Sequence, residues 1–499
     1  MENTLTTSGK RGALPVGSPT PESDPTIGQK PDEHCAVVGI YGKEQAFYDL
    51  LVSLKALQHR GQESAGIATF DGSVVHLKKG MGLVSEVFPE REGVTYGSLS
   101  GNVGIGHTRY STQGTKTIEN AGPFVISNSI GYMAISHNGE ITNAESLKEE
   151  LKKKGSAFLT SSDTEVMLME LSREIVEKGV KNGFRAAVSK LKGAYAVTVL
   201  INDRLFGLRD PLGIRPLVVG KVRDNYVIAS ESCVFESLDG EMIRDIKPGE
   251  LVEITNDGVE SIFTANNGKT AHCMFEYVYF ARPDSIIDDM EVFTVRTEIG
   301  RLLAKEHPVD ADVVIPVPDS GRAQALGFSN ESGIPYSEGL IKNRYSGRTF
   351  IMPTQKSRSA AVKLKLNPIK SVISGKKVVL VDDSIIRGNT IRHIVAMLRR
   401  NGAAEIHVRV GSPPIAHACY FGVDMKTKDQ FVATGKTVDQ IREEIGADSL
   451  GYLSIHNLTK AIGKPGKALC LGCLTGEYPV NIAGEKYSYQ AELEGYQVS

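Results

Sequence analysis

Residues 378–390, which read VVLVDDSIIRGNT, decide the fold of the second half of the chain. The first four residues are aliphatic and mostly β-branched, so they predict a buried strand that ends at the carboxylates of Asp382 and Asp383. A short loop with one glycine then leads into the helical sequence IRHIVAMLRR. A buried strand, a polar loop and a helix in this order are typical of a parallel sheet that binds ligands at the carboxyl ends of its strands.

The chemistry of this loop predicts a site for a sugar phosphate. Backbone N–H groups at the start of a helix, together with short hydroxyl side chains and a glycine, form a cradle for an anion. The adjacent carboxylates of Asp382 and Asp383 are suited to accept hydrogen bonds from neighbouring sugar hydroxyls. An acidic strand end with an ordinary turn is the alternative interpretation; it would explain a bare Asp-Asp pair but not the whole string.

The same alternation extends to either side of this string. The β-branched runs ADVVIPV at 311–317 and EIHVRVG at 405–411 are each followed by a loop and a helix. We therefore expect a doubly wound parallel sheet over about residues 285–435.

Residues 35–270 alternate short β-rich runs with helical ones. Strands are predicted by the runs AVVGIYG, SAGIATF, NVGIGHT, YMAISHN, YAVTVLI and NYVIASE. Helical periodicity occupies residues 47–60 and 163–179, and either Ser162 or Asp163 is suited to cap the second helix. We expect strands packed face to face with helices outside.

Composition narrows the function classes. A chain of 499 residues is too long for one ordinary core, so two or three domains are expected. The net charge of -2 gives no overall field for nucleic acid or an anionic membrane, and no apolar run reaches the length of a membrane span. We expect a cytoplasmic protein that binds neither nucleic acid nor a membrane.

The six cysteines are too few for a disulfide scaffold, so metal or catalytic roles fit better.

Cys35 begins the first apolar run directly after a leader that is unsuited to folding. Residues 1–34 hold five prolines among Ser, Thr and Gly, and they lack both the apolar segment of a secretory signal and the composition of a transit peptide. A thiol with a reference pKa of ~8.5 is well matched by its own α-amine, at ~7.7–8.0, as a base. That amine exists only if the chain is cut between His34 and Cys35, so we expect such cleavage. For a lone cysteine, a packing role is the alternative.

Four motifs after Cys35 resemble those of the N-terminal-nucleophile (Ntn) glutamine amidotransferases. They are LQHRGQESAG at 57–66, HTRYST at 107–112, SHNGEITN at 136–143 and SSDTEV at 161–166. The resemblance implies that Cys35 is the nucleophile and that Asn138 and the N–H of Gly139 form the oxyanion hole. It also implies that four residues bind glutamine, namely Arg60, Arg109, Thr112 and Asp163.

The string at 378–390 resembles the signature with which type I phosphoribosyltransferases bind phosphoribosyl diphosphate (PRPP). PVPDSGR at 316–322 resembles the pyrophosphate loop, and KNRYSGRTFIMP at 342–353 resembles the flexible loop, with Ser346 where a bulkier aliphatic residue is usual. The resemblance implies that PRPP is bound by Asp382, Asp383, Ser384, Ile385, Ile386, Arg387, Gly388, Asn389, Thr390, Lys342, Arg344 and Arg348. One Mg²⁺ per subunit would be held by Ser320, Asp382 and Asp383.

Together the two halves resemble the amidophosphoribosyltransferases, and RDPLGIRPL at 209–217, RDIKPGE at 244–250 and FEYVYFARPDS at 275–285 agree. The resemblance implies an Ntn αββα sandwich followed by a type I doubly wound sheet. The implied domains are a disordered propeptide at 1–34, a glutaminase domain at 35–270, a phosphoribosyltransferase domain at 271–440 and a C-terminal extension at 441–499.

The implied activity opens purine nucleotide synthesis: glutamine, PRPP and water give 5-phosphoribosylamine, glutamate and pyrophosphate, with ammonia crossing a water-excluded passage. The resemblance also implies inhibition by purine nucleotides and a homo-oligomer, either dimer or tetramer. Two alternatives are a glutaminase-driven synthase for a different sugar phosphate and a PRPP-sensing regulator without catalysis.

Four cysteines match the ligands of a [4Fe–4S] cluster, one per subunit, found in one branch of this family: Cys273, Cys419, Cys470 and Cys473. A zinc site with the same ligands is the alternative. We expect a structural role for the cluster, and core packing for the remaining Cys233.

Overall fold

The computed structural model of the chain describes residues 35–90, 95–110, 117–266, 268–343, 366–425, 431–482 and 486–487. The predicted leader, residues 1–34, lies outside these ranges, as do Thr112, Arg344, Ser346 and Arg348. The expectations for these residues stay predictions.

Two antiparallel sheets face each other in the first half of the chain, with strands numbered in chain order. Sheet A has the order β11-β9-β10-β1-β4-β2-β3. Its strands are β1 (Ala36–Tyr41), β2 (Ser64–Phe70), β3 (Val75–Met81), β4 (Val103–Arg109), β9 (Val218–Val222), β10 (Asn225–Ala229) and β11 (Glu241–Asp245). Sheet B has the order β13-β12-β8-β7-β6-β5. Its strands are β5 (Phe124–Asn128), β6 (Gly131–Ile141), β7 (Gly193–Ile201), β8 (Arg204–Arg209), β12 (Glu250–Thr255) and β13 (Gly258–Thr264).

Helices cover the outer faces of both sheets. They are Ala46–Ala56, Val84–Val87, Ala144–Lys153, Asp163–Lys178, Val180–Lys190, Cys233–Glu236 and the 3-10 turn Ile118–Asn120. Successive residues of β1 point to opposite faces, as in any strand. Val37 therefore packs between the sheets with Leu205, while Val38 packs outward against Leu50 and Leu54 of the first helix. The four layers confirm the predicted αββα sandwich.

A parallel sheet forms the second half of the chain. Its order is β17-β20-β21-β22, and its strands are β17 (Val313–Pro316), β20 (Lys377–Asp382), β21 (Glu405–Val410) and β22 (Ser449–Tyr452). The first three coincide with the three predicted β-branched runs. The fourth comes from the segment beyond residue 440, so the sheet continues there.

Helices lie on both faces of this sheet, which confirms the doubly wound fold. Leu303 packs on one face against Val379, and Leu398 packs on the other against Leu380. The helical segments are the π-helical turn Glu276–Phe280, the helices Val292–Glu306, Arg322–Ser332, Lys370–Ile373, Asn389–Arg400, Val438–Ile445, Ile455–Ile462 and Gly472–Thr475, and the 3-10 turn Gly466–Ala468.

Four short two-stranded pairs complete the described secondary structure. They are β14 (His272–Cys273) with β23 (Leu469–Cys470), β15 (Ile286–Ile287) with β16 (Met290–Glu291), β18 (Leu340–Lys342) with β19 (Leu366–Pro368), and β24 (Glu477–Tyr478) with β25 (Lys486–Tyr487). Among the residues in the ranges above, no helix combines the length and the apolar character that crossing a bilayer requires.

Candidate functional site

Cys35 lies directly before the central strand β1 of sheet A. Its Sγ is 3.7 Å from the carbonyl oxygen of Tyr110, and its own carbonyl accepts a hydrogen bond of 3.3 Å from Arg60 Nε. Burial raises the pKa of the Cys35 thiol, and the positive charge of Arg109 opposes that shift only in part. A thiol with a raised pKa stays protonated near neutral pH, so it needs a base to become a nucleophile.

One small cavity brings together four of the predicted site residues: Cys35, Arg109, Gly139 and Asp163. The strand register explains why. β4 pairs with β1 so that Ala36 stands opposite Thr108, which leaves Cys35 beside the carboxyl end of β4, where Arg109 lies.

The helix that carries Asp163 is placed by its N-terminal cap. Ser162 has an extended backbone, and its side chain accepts a hydrogen bond of 3.3 Å from the N–H of Thr164. Of the two predicted capping residues, Ser162 is therefore the cap, and Asp163 begins the helix. Asp163 Oδ2 accepts a hydrogen bond of 3.1 Å from the N–H of Ile141, the last residue of β6.

Charges of opposite sign flank the Cys35 cavity. Arg109 is nearly buried and forms an ion pair of 3.0 Å with Glu63, while the Asp163 carboxylate lies 3.8 Å from His137 Nδ1. A cation and an anion on one cavity suit a free amino acid, whose α-carboxylate and α-ammonium need one of each. Glu63 lies in the motif LQHRGQESAG, and the motif resemblance implied no role for it.

Gly139 and Asn138 differ in their relation to the cavity. Gly139 lines it with a backbone φ of +139°, and a Cβ there would lie 2.0 Å from the carbonyl oxygen of Ala194, so only glycine fits. Asn138 is fully buried, and within the described structure neither polar atom of its amide has a hydrogen-bond partner. Leaving a buried amide unsatisfied costs about 1–3 kcal/mol. That cost makes Asn138 a candidate for binding something that enters the site.

Two histidines from the motifs HTRYST and SHNGEITN, for which the resemblance implied no role, also line the cavity. His107 Nε2 lies 2.9 Å from the carbonyl oxygen of His137. Burial lowers the pKa of His107 to about 3 and lowers the pKa of His137 as well. Both imidazoles are therefore neutral at pH 7, and neither adds positive charge to the cavity.

Arg60 lies behind Cys35 and is not among the residues that line the cavity. Its guanidinium donates to Glu276 at 2.7 and 2.9 Å and also to Glu231. Burial alone would lower the pKa of Arg60, but the two carboxylates outweigh it and raise it. Sequence reasoning had no local signal for these partners, because they lie 171 and 216 residues away along the chain.

The loop after β20 forms the second candidate site. Asp382 and Asp383 are buried at the carboxyl end of the strand. Asp383 donates its N–H to Asp382 Oδ1 at 3.0 Å, and its Oδ2 accepts a hydrogen bond of 2.6 Å from Ser384. Gly388 has a φ of +75° at the start of the helix Asn389–Arg400, a conformation that favours glycine.

The remaining loop residues divide into buried aliphatic side chains and half-buried polar ones. The side chains of Ile385 and Ile386 are buried, and the Ile386 carbonyl accepts a hydrogen bond of 2.7 Å from Val432. Arg387, Asn389 and Thr390 are half-buried. The aliphatic residues thus hold the loop in place, while the polar ones lie at its surface.

The predicted pyrophosphate loop lies at the same edge of the sheet. Val317 donates its N–H to the Val381 carbonyl at 2.8 Å, and a Cβ on Gly321 would lie 2.5 Å from that oxygen. Ser320 immediately precedes this glycine. Lys342 Nζ donates to Asp319 Oδ2 at 3.2 Å, which brings the start of the predicted flexible loop against the pyrophosphate loop.

Four cysteines converge where the two halves of the chain meet. Cys273 stands opposite Cys470 in the pair β14–β23, and the Cys473 carbonyl accepts hydrogen bonds from Ala416 and His417, just before Cys419. Burial raises the pKa of all four thiols, to about 11 for Cys273. In the described ranges, no three His, Cys, Asp or Glu side chains are grouped closely enough to hold a single metal ion.

Comparison with known proteins agrees with this architecture. A family model for the glutamine amidotransferase domain matches residues 107–237, and one for the phosphoribosyl transferase domain matches residues 294–411. The amidophosphoribosyltransferase of Methanocaldococcus jannaschii is 50% identical over 470 residues, which cover 91% of this chain and 99% of that protein. The amidophosphoribosyltransferase of Bacillus subtilis is 44% identical over 456 residues, which cover 90% and 95%.

A solved structure agrees as well. Glutamine PRPP amidotransferase from B. subtilis, complexed with ADP and GMP, superposes with a TM-score of 0.83 at 43% identity, covering 90% of this chain and 98% of that one. Similarity to catalysts over nearly their whole length favours an enzyme over a PRPP-sensing regulator. The chain belongs to the amidophosphoribosyltransferase family, whose members transfer the amide nitrogen of glutamine to PRPP.

Proposed function

We propose that this enzyme releases ammonia from glutamine at Cys35 and joins it to PRPP at the loop after Asp382, as the committed step of purine synthesis. The observation that carries the proposal is the cavity shared by Cys35, Arg109, Gly139 and Asp163. In it Arg109 binds the α-carboxylate of glutamine, and Asp163 binds the α-ammonium. The side-chain amide then points toward the thiol.

The first half-reaction begins with proton transfer from the thiol to the α-amine of Cys35. The sulfur bonds to the amide carbon of glutamine, and the resulting oxyanion is stabilised by the Gly139 N–H and the Asn138 amide. The C–N bond breaks, and the nitrogen takes the proton back from the amine to leave as ammonia. Water then cleaves the thioester, which yields glutamate and restores the thiol.

The second half-reaction joins ammonia to the anomeric carbon of PRPP while the bond to pyrophosphate breaks. Asp382 and Asp383 accept hydrogen bonds from the ribose hydroxyls, and the backbone N–H groups from Ser384 to Thr390 hold the 5-phosphate. Lys342, Arg344 and Arg348 neutralise the leaving pyrophosphate. Ammonia must reach this carbon without meeting bulk water, since ammonium is no nucleophile.

The donor set at this site suits Mg²⁺. Asp382 and Asp383 offer two buried carboxylates, and Ser320 offers a hydroxyl at the same sheet edge. Mg²⁺ in such sites commonly takes one or two protein carboxylates and completes its shell with substrate phosphates and water. When bound, it would supply positive charge to the departing pyrophosphate.

The four converging cysteines suit a [4Fe–4S] cluster. Four cysteines from three segments pack against the hydrophobic cores at this junction, and thiolates are the ligands that such clusters take. The reaction transfers no electrons, so the cluster would serve to join the segments that carry its ligands.

The need for a free α-amine at Cys35 supports removal of residues 1–34. The proposed domains stay 35–270, 271–440 and 441–499, with the last segment adding strand β22 to the sheet of the second domain. The complex of the B. subtilis relative with ADP and GMP supports inhibition by purine nucleotides. As the motif resemblance implies, the proposal also includes a cytoplasmic homo-oligomer, either dimer or tetramer.

Two variants, each of which removes one of the two proposed sites, test the proposal. Cys35→Ala should lose glutaminase activity and glutamine-dependent synthesis by at least ~10³-fold, since the nucleophile is gone, yet should keep ammonia-dependent synthesis. Asp382→Ala combined with Asp383→Ala should lose both glutamine-dependent and ammonia-dependent synthesis, yet should keep glutaminase activity. Cys233→Ala, which alters a buried cysteine outside the cavity, is the control. Glutamine-dependent synthesis in Cys35→Ala, or full synthase activity in the double variant, would contradict the proposal.

A further inference from the structure

One buried carboxylate binds two buried arginines at the junction between the halves of the chain. Glu276 accepts hydrogen bonds from Arg60 at 2.7 and 2.9 Å and from Arg215 at 3.2 Å. All three residues are at most 1% exposed. Since a buried charge is costly unless it is paired, neither arginine can leave Glu276 without a large penalty.

The two arginines connect Glu276 to the nucleophile Cys35 and to the region of Gly139. Arg60 Nε donates to the carbonyl of Cys35 at 3.3 Å. Arg215 donates from Nε at 3.1 Å, and also from Nη2, to the carbonyl of Phe421. The next residue, Gly422, packs on the glycine that lines the cavity: a Cβ at position 422 would lie 2.9 Å from the carbonyl carbon of Gly139. One carboxylate therefore fixes the nucleophile on one side and the oxyanion strand on the other.

The turn that begins with Glu276 is also bound from the side of the second site. Arg296 is buried, and it donates to the carbonyls of Tyr277 and Ala281 at 2.8 Å each. Burial lowers the pKa of Arg296 to about 10, and the negative charge of Asp383 is the largest of the effects that oppose the shift. Val278 and Phe280 of the same turn also lie in one hydrophobic core with Val379 and Val381 of β20, the strand that ends at Asp382. A shift of the loop after β20 therefore reaches the turn through packed side chains.

We propose that Glu276 is a positioning residue that couples occupancy of the PRPP site to the geometry of the glutaminase site through the turn Glu276–Phe280. The proposal rests on the function proposed above for Cys35 and Asp383. Coupling of this kind requires one physical element that both sites bias. The turn meets that requirement because it is tied to Cys35, Gly139 and Arg296 at once.

The test compares three rates in purified holoenzyme: glutaminase activity without PRPP, glutaminase activity with saturating PRPP, and ammonia-dependent synthesis. Glu276→Gln keeps the shape of the side chain but removes the charge that binds Arg60 and Arg215. The ratio of the two glutaminase rates should fall by about tenfold, within the usual range of coupling energies. Ammonia-dependent synthesis should stay unchanged, because neither arginine touches that site.

Glu250→Gln is the matched control. Glu250 is also a buried carboxylate, bound by both Nη atoms of Arg244 at 2.8 and 2.9 Å, but it lies at the start of β12 rather than between the sites. Its variant should keep the wild-type ratio. If Glu276 had only a structural role, Glu276→Gln would lower all three rates in parallel, and this result would overturn the proposal. The proposal is also overturned if PRPP does not change the glutaminase rate of the wild type. It is overturned as well if the ratio of the two glutaminase rates is the same in Glu276→Gln as in the wild type.

If Glu276→Gln does not fold, Arg215→Lys tests the same connection with the charge retained. Lysine cannot bind both Glu276 and Phe421 as the guanidinium does, so the ratio should again fall, and an unchanged ratio overturns the proposal. Failure of the underlying function is recognised separately: it would leave glutaminase activity in Cys35→Ala, whereas failure of the coupling would not.

Discussion

Cys273 stands opposite Cys470 in the parallel pair formed by β14 and β23. The first residue belongs to the segment that leaves the glutaminase half, and the second to a Cys-x-x-Cys near the end of the chain. Only two residues pair on each side, so backbone hydrogen bonds alone would hold this junction weakly. A group that binds both sulfurs would secure it.

Cys470→Ser is expected to lose most of its iron and labile sulfide, because a serine hydroxyl replaces a thiolate ligand poorly. The measurement is metal and sulfide analysis of protein purified without oxygen. Cys233→Ser is the control: Cys233 is buried beside Glu231, away from the four thiols, and the variant should keep its iron. Zinc in place of iron in the wild type would contradict the cluster.

Arg109→Lys is expected to raise the KM for glutamine by roughly tenfold or more. Lysine keeps the charge but loses the planar fork that matches a carboxylate, and charged hydrogen bonds contribute about 1.5–3 kcal/mol. Ammonia-dependent synthesis should not change. The control is Arg204→Lys, which alters a partly buried ion pair with Glu253 in the same domain, outside the Cys35 cavity. An unchanged KM for glutamine in Arg109→Lys would remove Arg109 from the binding site.

Removal of the leader should govern glutaminase activity. Preparations with different proportions of chains that begin at Cys35 should show activity in direct proportion to that fraction, because only those chains carry the α-amine. Intact mass spectrometry gives the fraction, and glutamate release gives the activity. Ammonia-dependent synthesis in the same samples serves as the control. Active enzyme in which residues 1–34 remain attached would disprove the dependence.

Asp245→Asn is expected to stabilise the protein at pH 8 but not at pH 4.5. Burial, and after it the charge of Asp288, raises the pKa of Asp245 to about 6, against ~3.9 in an unfolded chain. The folded protein therefore holds this proton more tightly. The resulting stabilisation is present below about pH 4 and is lost as the pH rises through 6.

Asparagine does not titrate, and its side-chain oxygen can still accept the hydrogen bond of 3.0 Å from the N–H of Asp288. We expect a gain of about 1–3 kcal/mol in the free energy of unfolding at pH 8. Thermal unfolding of both proteins at the two pH values measures it. Asp257→Asn, at an exposed position, is the control. An equal gain in the free energy of unfolding of Asp245→Asn at both pH values would refute the raised pKa of Asp245.

Both sheet architectures were predictable, because their central strands are apolar runs with clear breaks. β20 ends at Asp382, where the string VVLVDD predicts. β3 was missed because it is an edge strand whose sequence, VHLKKGM, carries two lysines and has no fully buried residue. Its place comes from pairing with β2, which no local pattern encodes.

The candidate sites were predictable only in part. Motif resemblance located Cys35, Arg109, Gly139 and Asp163, and the structure brings all four to one cavity. It gave no role to Glu276, a single glutamate whose partner Arg60 is 216 residues away along the chain. Contacts of that kind depend on how the domains dock and leave no periodicity in the sequence.

The register of β1 has a consequence for the proposed maturation, the removal of residues 1–34. Ala36 is held opposite Thr108 on one side and Val38 opposite Ala229 on the other, so the strand cannot slip by one residue without exchanging its two faces. A protease that cut one bond too late would therefore yield a chain that folds normally but begins at an alanine, with no sulfur to use. Inaccurate cleavage would therefore produce folded subunits without glutaminase activity. Quality control that senses only unfolding would not remove these subunits.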